Sequence, residues 1–576
     1  MGKADEGIIL RRFLTMRKIN KYIFLLSIPA VAYLFIFTIY PILSNFILSL
    51  YTQDVLGNLH YTGLDNYLWF QKDPYLLRIS SNTLLYMIST PVLDVLLAIP
   101  LAVALKRVGN KWLFLIMLPA FIPPVTAASM WYLMINPFFG LAYYFTKENL
   151  ASSIWTVVLV NVWRSLPMAT LIIYSGLASI PKEIEAAASV DGIRGAKKLM
   201  MIDLPLIVPQ IMAAFVLMTI TGLFTFDPIY IGTSQAGPRI LDNLAYYAFD
   251  QFYSGVPGYA AAIIVLMSII STALSVIYIR ALGSRKLVKF PAPSFLPSSD
   301  LPAWVHKVVM ALYFFFFIVP MYWVIAVSLK TPIELISIPP TVIPKTFSSA
   351  NYMLMFGDGL PYIITTLAVS SINTLTTLVL SAPLAYTMAL HKTGGRKLLI
   401  YILYLNATPT LIYIIPLFAI LKYLGIINTW WALMLTYPIM TIPVTTWILY
   451  NYYLKFPKQL EEASQMDGLN PLRTFIRTVI PLSKSGLSVA AIYAFLYSWG
   501  ALVFPLAFTY SPYDLSHPLS FSGAQTFSIF IGLLMSPVSM SYGGVAAAGV
   551  ISSIPPLIFL YFGRNNLQKI WGSGGV

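Results

Sequence analysis

The sequence predicts an all-α, polytopic membrane protein with about twelve transmembrane helices in two homologous six-helix halves. Three observations carry this. Of the residues, 58% are hydrophobic and only 10% charged, where soluble chains carry about a quarter charged. Apolar runs such as YIFLLSIPAVAYLFIFTIYPIL (22–43) and VVMALYFFFFIVPMYWVIAVSL (308–329) reach the roughly 20 residues that cross a bilayer core of about 30 Å. The chain also repeats itself: EAAASVDGIR (185–194) returns as EEASQMDGLN (461–470), a shift of 276.

Taken in order, residues 1–21 form a basic cytoplasmic segment, and the first apolar run is too long for a signal-peptide core, so it is expected to stay as a helix. Spans are expected near 22–47, 80–105, 112–136, 152–179, 206–231 and 258–282. The first half is then 22–282, with a transmembrane core at about 78–282. Residues 283–307 (from GSRKLVKFPAPSFLPSSD onward) are basic, then Pro- and Ser-rich, with no apolar period, and read as a cytoplasmic linker. The second half, 308–563, has spans near 308–329, 363–390, 398–421, 429–453, 485–510 and 542–563, with a core of about 363–563 and a cytoplasmic tail at 564–576.

The net charge of +15 raises the question of nucleic acid, and its placement answers it. Most Lys and Arg residues fall between alternate spans, on the side that also holds both termini, as the positive-inside rule requires. The basicity sets topology in a plasma membrane, with both termini cytoplasmic and no nucleic-acid partner. Cysteine is absent, which excludes disulfides and thiolate chemistry. His60, His306, His391 and His517 lack metal-ligand spacing, so no metal is expected.

Each copy of the repeat has the same grammar. Pro-Lys opens it (181–182, 457–458), proline suiting a first helical turn. Glu185, or Glu461 and Glu462, sits early, where the helix dipole favours acid. Ala187 or Ala463 permits close approach. Asp191-Gly192 or Asp467-Gly468 then ends the helix, glycine accepting the left-handed conformation. A short basic stretch follows to Leu-Pro (204–205) or Ile-Pro (480–481). The product is a cytoplasmic helix and turn between two spans, suited to carry force from a soluble partner.

The stretch PKQLEEASQMDGLNPLRTFIRTVIPL resembles the EAA loop of permease subunits of type I ABC importers, in the carbohydrate branch of maltose and glycerol-phosphate type. The resemblance covers nearly the whole chain. GLDNYLWFQKDP (63–74), IPPVTAASMWYLMINPFFGL (122–141) and FDPIYIGT (226–233) are similar to the MalF-like partner. SLKTPIELISIPPTVIPKTFSSANY (328–352) and IPLFAILKYLGIINT (415–429) are similar to the MalG-like partner. Two permeases fused in one chain are the expectation. The resemblance implies two cytoplasmic ATPase subunits that dock on the loops at Glu185, Ala187, Asp191, Gly192, Glu461, Glu462, Ala463, Asp467 and Gly468. It also implies an extracytoplasmic solute-binding protein, received by outer loops such as 329–362 and 510–540. No cofactor is expected on this chain, ATP and Mg being used by the ATPase. The pattern has two glutamates, met at Glu461-Glu462 but only as Glu185-Ala186 in the first copy. Coupling is therefore expected to be asymmetric, Glu462→Ala costing more than Glu185→Ala.

Charge inside a span marks a functional candidate. Asp94, Arg164 and Asp227 qualify, and Asn161, Trp163, Arg164, Asp227 and Tyr230 are expected to line a substrate path, as structural pairs or as sugar-binding groups. Aromatic rings suit sugar faces, while an arginine suits a phosphate or carboxylate, and both stay open. No GxxxxGK[ST] occurs, so the chain is not expected to hydrolyse nucleotide itself. The rival is an ion-coupled secondary transporter of two six-helix halves, which would need buried carboxylates near the midplane.

Overall fold

The computed structural model describes residues 25–54, 57–109, 112–137, 140–237, 239–283, 299–405, 408–517, 520–536 and 541–572. The expected segment 1–21, most of the expected linker and the last four residues of the expected tail lie outside them.

The first half contributes α1 (Leu25–Leu48), α2 (Leu76–Val108), α3 (Pro124–Ile135), α4 (Ile154–Ala178), α5 (Lys182–Val190), α6 (Val208–Leu223) and α7 (Pro257–Gly283). The second contributes α8 (Ala303–Ser328), α9 (Leu360–His391), α10 (Leu411–Tyr423), α11 (Trp430–Tyr453), α12 (Lys458–Met466), α13 (Lys484–Gly500) and α14 (Tyr542–Gly572). Among the described residues, eight helices are long and apolar enough to cross a membrane, or ten if each of two bent pairs is one span. The other two expected spans are broken. In 112–136, short helices at Leu113–Ile116 and Leu118–Phe121 precede α3, with Pro123 extended before it. In 398–421, the helix Gly395–Leu405 stops before α10. Prolines cannot donate to the helical ladder and clash with the preceding turn, which explains both breaks.

Two boundaries differ from the expectation. The expected linker ends inside α8, because Ala303 already begins that helix after extended Pro302. The expected span 206–231 is two helices, since α6 ends at Leu223 and a separate helix starts at Asp227.

The halves cross-brace each other. Ala30 and Leu34 of α1 pack among Leu384, Met388, Ile402 and Ile442 of the second half, and the Tyr33 hydroxyl donates to the Leu435 carbonyl at 2.7 Å. In return, α8 lies on the first half, where Trp163 Nε1 donates to the Phe316 carbonyl at 3.1 Å. Small residues permit such approach: a Cβ on Gly222 of α6 would sit 2.5 Å from the Tyr86 carbonyl oxygen of α2. The internal repeat reaches the buried polar contacts as well. Thr83 Oγ1 accepts the Leu244 amide at 2.9 Å, and Thr366 Oγ1 accepts the Phe527 amide at 2.8 Å. Ser165 donates to Asp94 at 2.6 Å, and Thr377 meets Thr441 at 2.7 Å.

Candidate functional site

The two repeat copies fold alike, residue for residue. α5 and α12 are nine-residue helices that open after extended prolines, Pro181 and Pro457. Each closes through a left-handed glycine, Gly192 at φ 70° and Gly468 at φ 85°. The residue after the glycine returns to the helix: the Ile193 amide donates to the Ala188 carbonyl at 2.9 Å, and the Leu469 amide to the Ser464 carbonyl at 3.2 Å. This is the helix-ending motif in which the penultimate carbonyls are satisfied. A Cβ at either glycine would meet nothing within 4 Å, so the requirement is conformational and not steric.

Beyond each turn the copies stay in register. One turn of α-helix leads into a π-helical segment, Leu199–Asp203 or Phe475–Val479, and then into three residues holding Pro205 or Pro481. The chain bends there by 75° before α6 and by 83° before α13. Loss of the proline amide from the ladder gives the bend its cause. Each island is thus a rigid bracket at the foot of a membrane helix.

The glutamates divide into two kinds. Glu185 and its counterpart Glu461 turn inward. Glu185 Oε1 lies 2.7 Å from Lys106 Nζ at the end of α2 and 3.7 Å from Lys198, and Lys106 also donates to the Leu177 carbonyl at the end of α4. Glu461 is 1% exposed, and its Oε1 accepts from Tyr386 at 2.8 Å, His391 at 2.8 Å and Gln465 at 3.2 Å. Burial alone would raise both carboxyls. The hydrogen bond and charge of Lys106, with Lys198 behind it, outweigh that for Glu185, and the hydrogen bonds of His391 and Tyr386 outweigh it for Glu461, so both are held below the usual carboxylate range. These two glutamates fasten the helix to its own half.

The outward face carries Ala186, Ala187 and Asp191 in one copy and Glu462, Ala463 and Asp467 in the other, all exposed. It also carries a pair the sequence reading missed. Val190 is 87% exposed and Met466 88%, and they occupy matching positions, one residue before Asp191 and Asp467. Identity hid them, since valine and methionine do not align by type. Exposure at matching places is what finds them.

The intramembrane candidates separate as well. Asn161 is buried and donates to Thr225 at 2.9 Å, and buried Trp163 packs edge-on to Trp131 at 6.4 Å. Both are engaged with partners inside the protein. Asp94 is likewise enclosed. Arg164, Asp227 and Tyr230 are only half-buried. Arg164 Nε has no hydrogen-bond partner among the described residues, and no ion pair within 4 Å joins it to Asp227 among them. Tyr230 lies at the join between halves, its ring 2.6 Å from where a Cβ on Gly532 would stand. From the second half, half-buried Tyr497 comes within electrostatic reach of Asp227, with Tyr493 at 6.4 Å from it, one turn away on α13. The i, i+4 spacing of this tyrosine pair was the available signal, lost among membrane-interface tyrosines.

A family described as "Binding-protein-dependent transport system inner membrane component" matches residues 75–287 and again residues 378–569. The sulfoquinovosyl glycerol transport system permease protein SmoH of Agrobacterium fabrum is 28% identical over 45% of this chain and 88% of its own. In Thermococcus litoralis, the trehalose/maltose transport system permease protein MalG is 30% identical over 42% of this chain and 84% of its own. The MalF protein of the same system is 25% identical over 45% and 92%. A chain of a bacterial ABC transporter that imports the acidic polysaccharide alginate aligns with TM-score 0.36 and 19% identity, over 45% of this chain and 94% of that one. Each relative is matched nearly whole by less than half of this chain, and the family appears twice along it, which displaces the secondary-transporter alternative. The chain belongs to the family of inner membrane components of binding-protein-dependent transport systems, two of them fused in one polypeptide.

Proposed function

We propose that this chain is the complete membrane pathway of an ATP-driven importer for a carbohydrate, with α5 and α12 as its handles for two cytoplasmic ATPase subunits. The observation that carries this is the pair of matched islands. Each has an inward glutamate as anchor and an outward face on which a large apolar side chain, Val190 or Met466, stands almost fully exposed, ready to be buried by a partner. Ala187, Asp191, Gly192, Ala463, Asp467 and Gly468 shape that face. ATP and Mg belong to the partner, and the solute-binding protein meets the opposite side of the plasma membrane, with both termini cytoplasmic.

The substrate assignment rests on the relatives, whose names specify trehalose, maltose and sulfoquinovosyl glycerol. Half-buried Arg164, Asp227 and Tyr230, with Tyr497 from the other half, supply hydrogen-bonding groups beside rings, the chemistry a sugar requires. Arg164 with its unpartnered Nε favours substrates that carry an anionic group.

The test uses proteoliposomes holding this chain with the ATPase and binding protein of its own organism. Uptake of trehalose, maltose and sulfoquinovosyl glycerol is measured with ATP inside and with ion gradients collapsed. ATP-dependent uptake of at least one, indifferent to ionophores, is expected. Arg164→Gln should reduce uptake of the anionic glycoside about tenfold or more and leave a neutral disaccharide within about twofold, one lost charge-assisted contact being worth roughly 1.5 kcal/mol or more. Uptake that follows the ion gradient and ignores ATP would contradict the proposal.

A further inference from the structure

The loop between α8 and α9 is turned inside out. Two of its three ionic side chains, Lys330 and Glu334, point inward, while Lys345 stays exposed and can reach the headgroups. Lys330 is 2% exposed and donates to the Thr341 carbonyl. Buried Glu334 accepts from the Thr341 hydroxyl at 2.7 Å and the Lys345 amide at 2.8 Å. Its apolar side chains point outward: Ile338 is 78% exposed, and Ile333, Ile336, Ile343 and Phe347 are exposed with it. A loop in water does the reverse, and so many large apolar groups on one loop mark contact with an apolar partner. The loop is also well tied. The Ser348 amide donates to the Leu329 carbonyl at 2.8 Å, and Asn351 Nδ2 donates to the Ser328 and Lys330 carbonyls at 3.0 and 3.1 Å.

What covers it follows from its neighbour. α8 exposes Trp304, Val308, Leu312, Phe315, Tyr322 and Ile325, a single stripe at helical spacing that faces the lipid. The Tyr322 hydroxyl at the outer part of this stripe donates to the Val342 carbonyl of the loop at 3.2 Å. Tyr322 lies six residues before the end of α8 at Ser328, so the loop folds back by roughly 9 Å along the helix. Helical side chains lean toward the N-terminus, which carries the contact deeper still. The 26 residues of α8 measure about 39 Å against a hydrocarbon core of about 30 Å. The loop therefore sits where the end of α8 passes through the headgroup layer. This is the face away from the islands, because α9 ends at His391 beside Glu461 of α12 and starts at this loop.

We infer that residues 332–347 form a monotopic anchor lying in the outer interface of the bilayer, with Ile333, Ile336, Ile338, Ile343 and Phe347 in contact with the phospholipid leaflet. The interface suits an irregular backbone, whose free polar groups still find water there but not in the hydrocarbon. The apolar face continues the lipid-facing stripe of α8 without a gap in chemistry. Within the outer segment 329–362, expected to receive a soluble binding protein, the stretch 332–347 is thereby assigned to lipid instead.

The chain has no cysteine, so single cysteines can be placed cleanly. Ile338→Cys and Ile343→Cys, with Ser516→Cys in the exposed turn of another outer loop as reference, are labelled with an environment-sensitive nitrobenzoxadiazole dye and reconstituted in nanodiscs. Quenching is compared for a phospholipid bearing a nitroxide at its headgroup or shallow acyl carbons and for aqueous iodide. Labels at 338 and 343 should be quenched several-fold more by the lipid nitroxide than the label at 516, and several-fold less by iodide. Equal access of iodide to 338, 343 and 516 would overturn the inference and return the loop to a soluble protein partner. Ile336→Cys replaces either variant that fails to elute as a monodisperse particle, so the comparison is decided in every case.

Discussion

The first island ties its inward glutamate to lysines at a half-exposed position, whereas the second ties Glu461 to His391 and Tyr386 at a site closed to water. Backbone, caps, π-helical turn and bend are otherwise shared. Duplication has thus kept a shape and replaced the chemistry that fastens it. The outward faces differ in the same uneven way: Glu462 stands exposed where the first copy has Ala186. What the comparison teaches is that anchoring and docking are separate jobs within one short helix, assigned to neighbouring positions about 100° apart.

The largest effect should come from the anchors. Glu461→Gln removes the charge from a buried network and weakens its bonds to Tyr386 and His391, which should lower the local stability of α12 by about 2–3 kcal/mol. Amide exchange in α12 should then speed up by roughly 30- to 150-fold. Glu185→Gln disturbs a half-exposed pair screened by solvent, and should cost α5 about 0.5 kcal/mol. Equal losses would break the comparison.

Acid should act in the same sense. A carboxyl held low when folded contributes stability that is fully present above its ordinary value, about 4.3 for glutamate, and that is lost as pH falls through the folded value. Both islands should therefore keep their protection from pH 7 to 5. Below about pH 4, α12 should lose more than α5, because its carboxylate is the more deeply enclosed. Exchange measured at a series of pH values checks the order.

On the outward face, Glu462→Ala should weaken ATPase binding about tenfold, or 1.4 kcal/mol, with α12 still folded. Glu185→Ala should act only through loosening of α5. The reciprocal Ala186→Glu should gain a few-fold in affinity if the partner presents the same basic residue to both islands. Titration of the ATPase against each variant resolves these effects.

The smallest effect should be the most even. Gly192→Ala and Gly468→Ala each place a side chain on a left-handed residue with open space around it. Each should cost about 1 kcal/mol, read as matched shifts in amide exchange. A marked difference between them would show that the two turns are not equivalent.

The duplication, the Pro-Lys openings, the Asp-Gly endings and most spans were legible because they are written in local pattern. The direction of Glu185 and Glu461 was not, since their partners Lys106 and His391 stand about 70 to 80 residues earlier in the chain. The broken spans at 112–136 and 398–421 and the start of a new helix at Asp227 escaped because hydropathy averages across breaks that prolines impose. The cross-bracing of α1 and α8 lay beyond any local signal, being a matter of which apolar stripe meets which. The partners of Asn161 and Trp163, Thr225 and the Phe316 carbonyl, were not legible either, because they stand 64 and 153 residues away in the chain.

The central claim is that each island is a handle for one ATPase subunit, and counting subunits tests it most directly. The chain in nanodiscs would be mixed with its organism's ATPase without nucleotide, and the mass of the complex measured for the wild type, Val190→Asp, Met466→Asp and the double variant. Two subunits on the wild type, one on each single variant and none on the double variant are predicted. Two subunits retained by the double variant, or none bound by the wild type, would contradict the account.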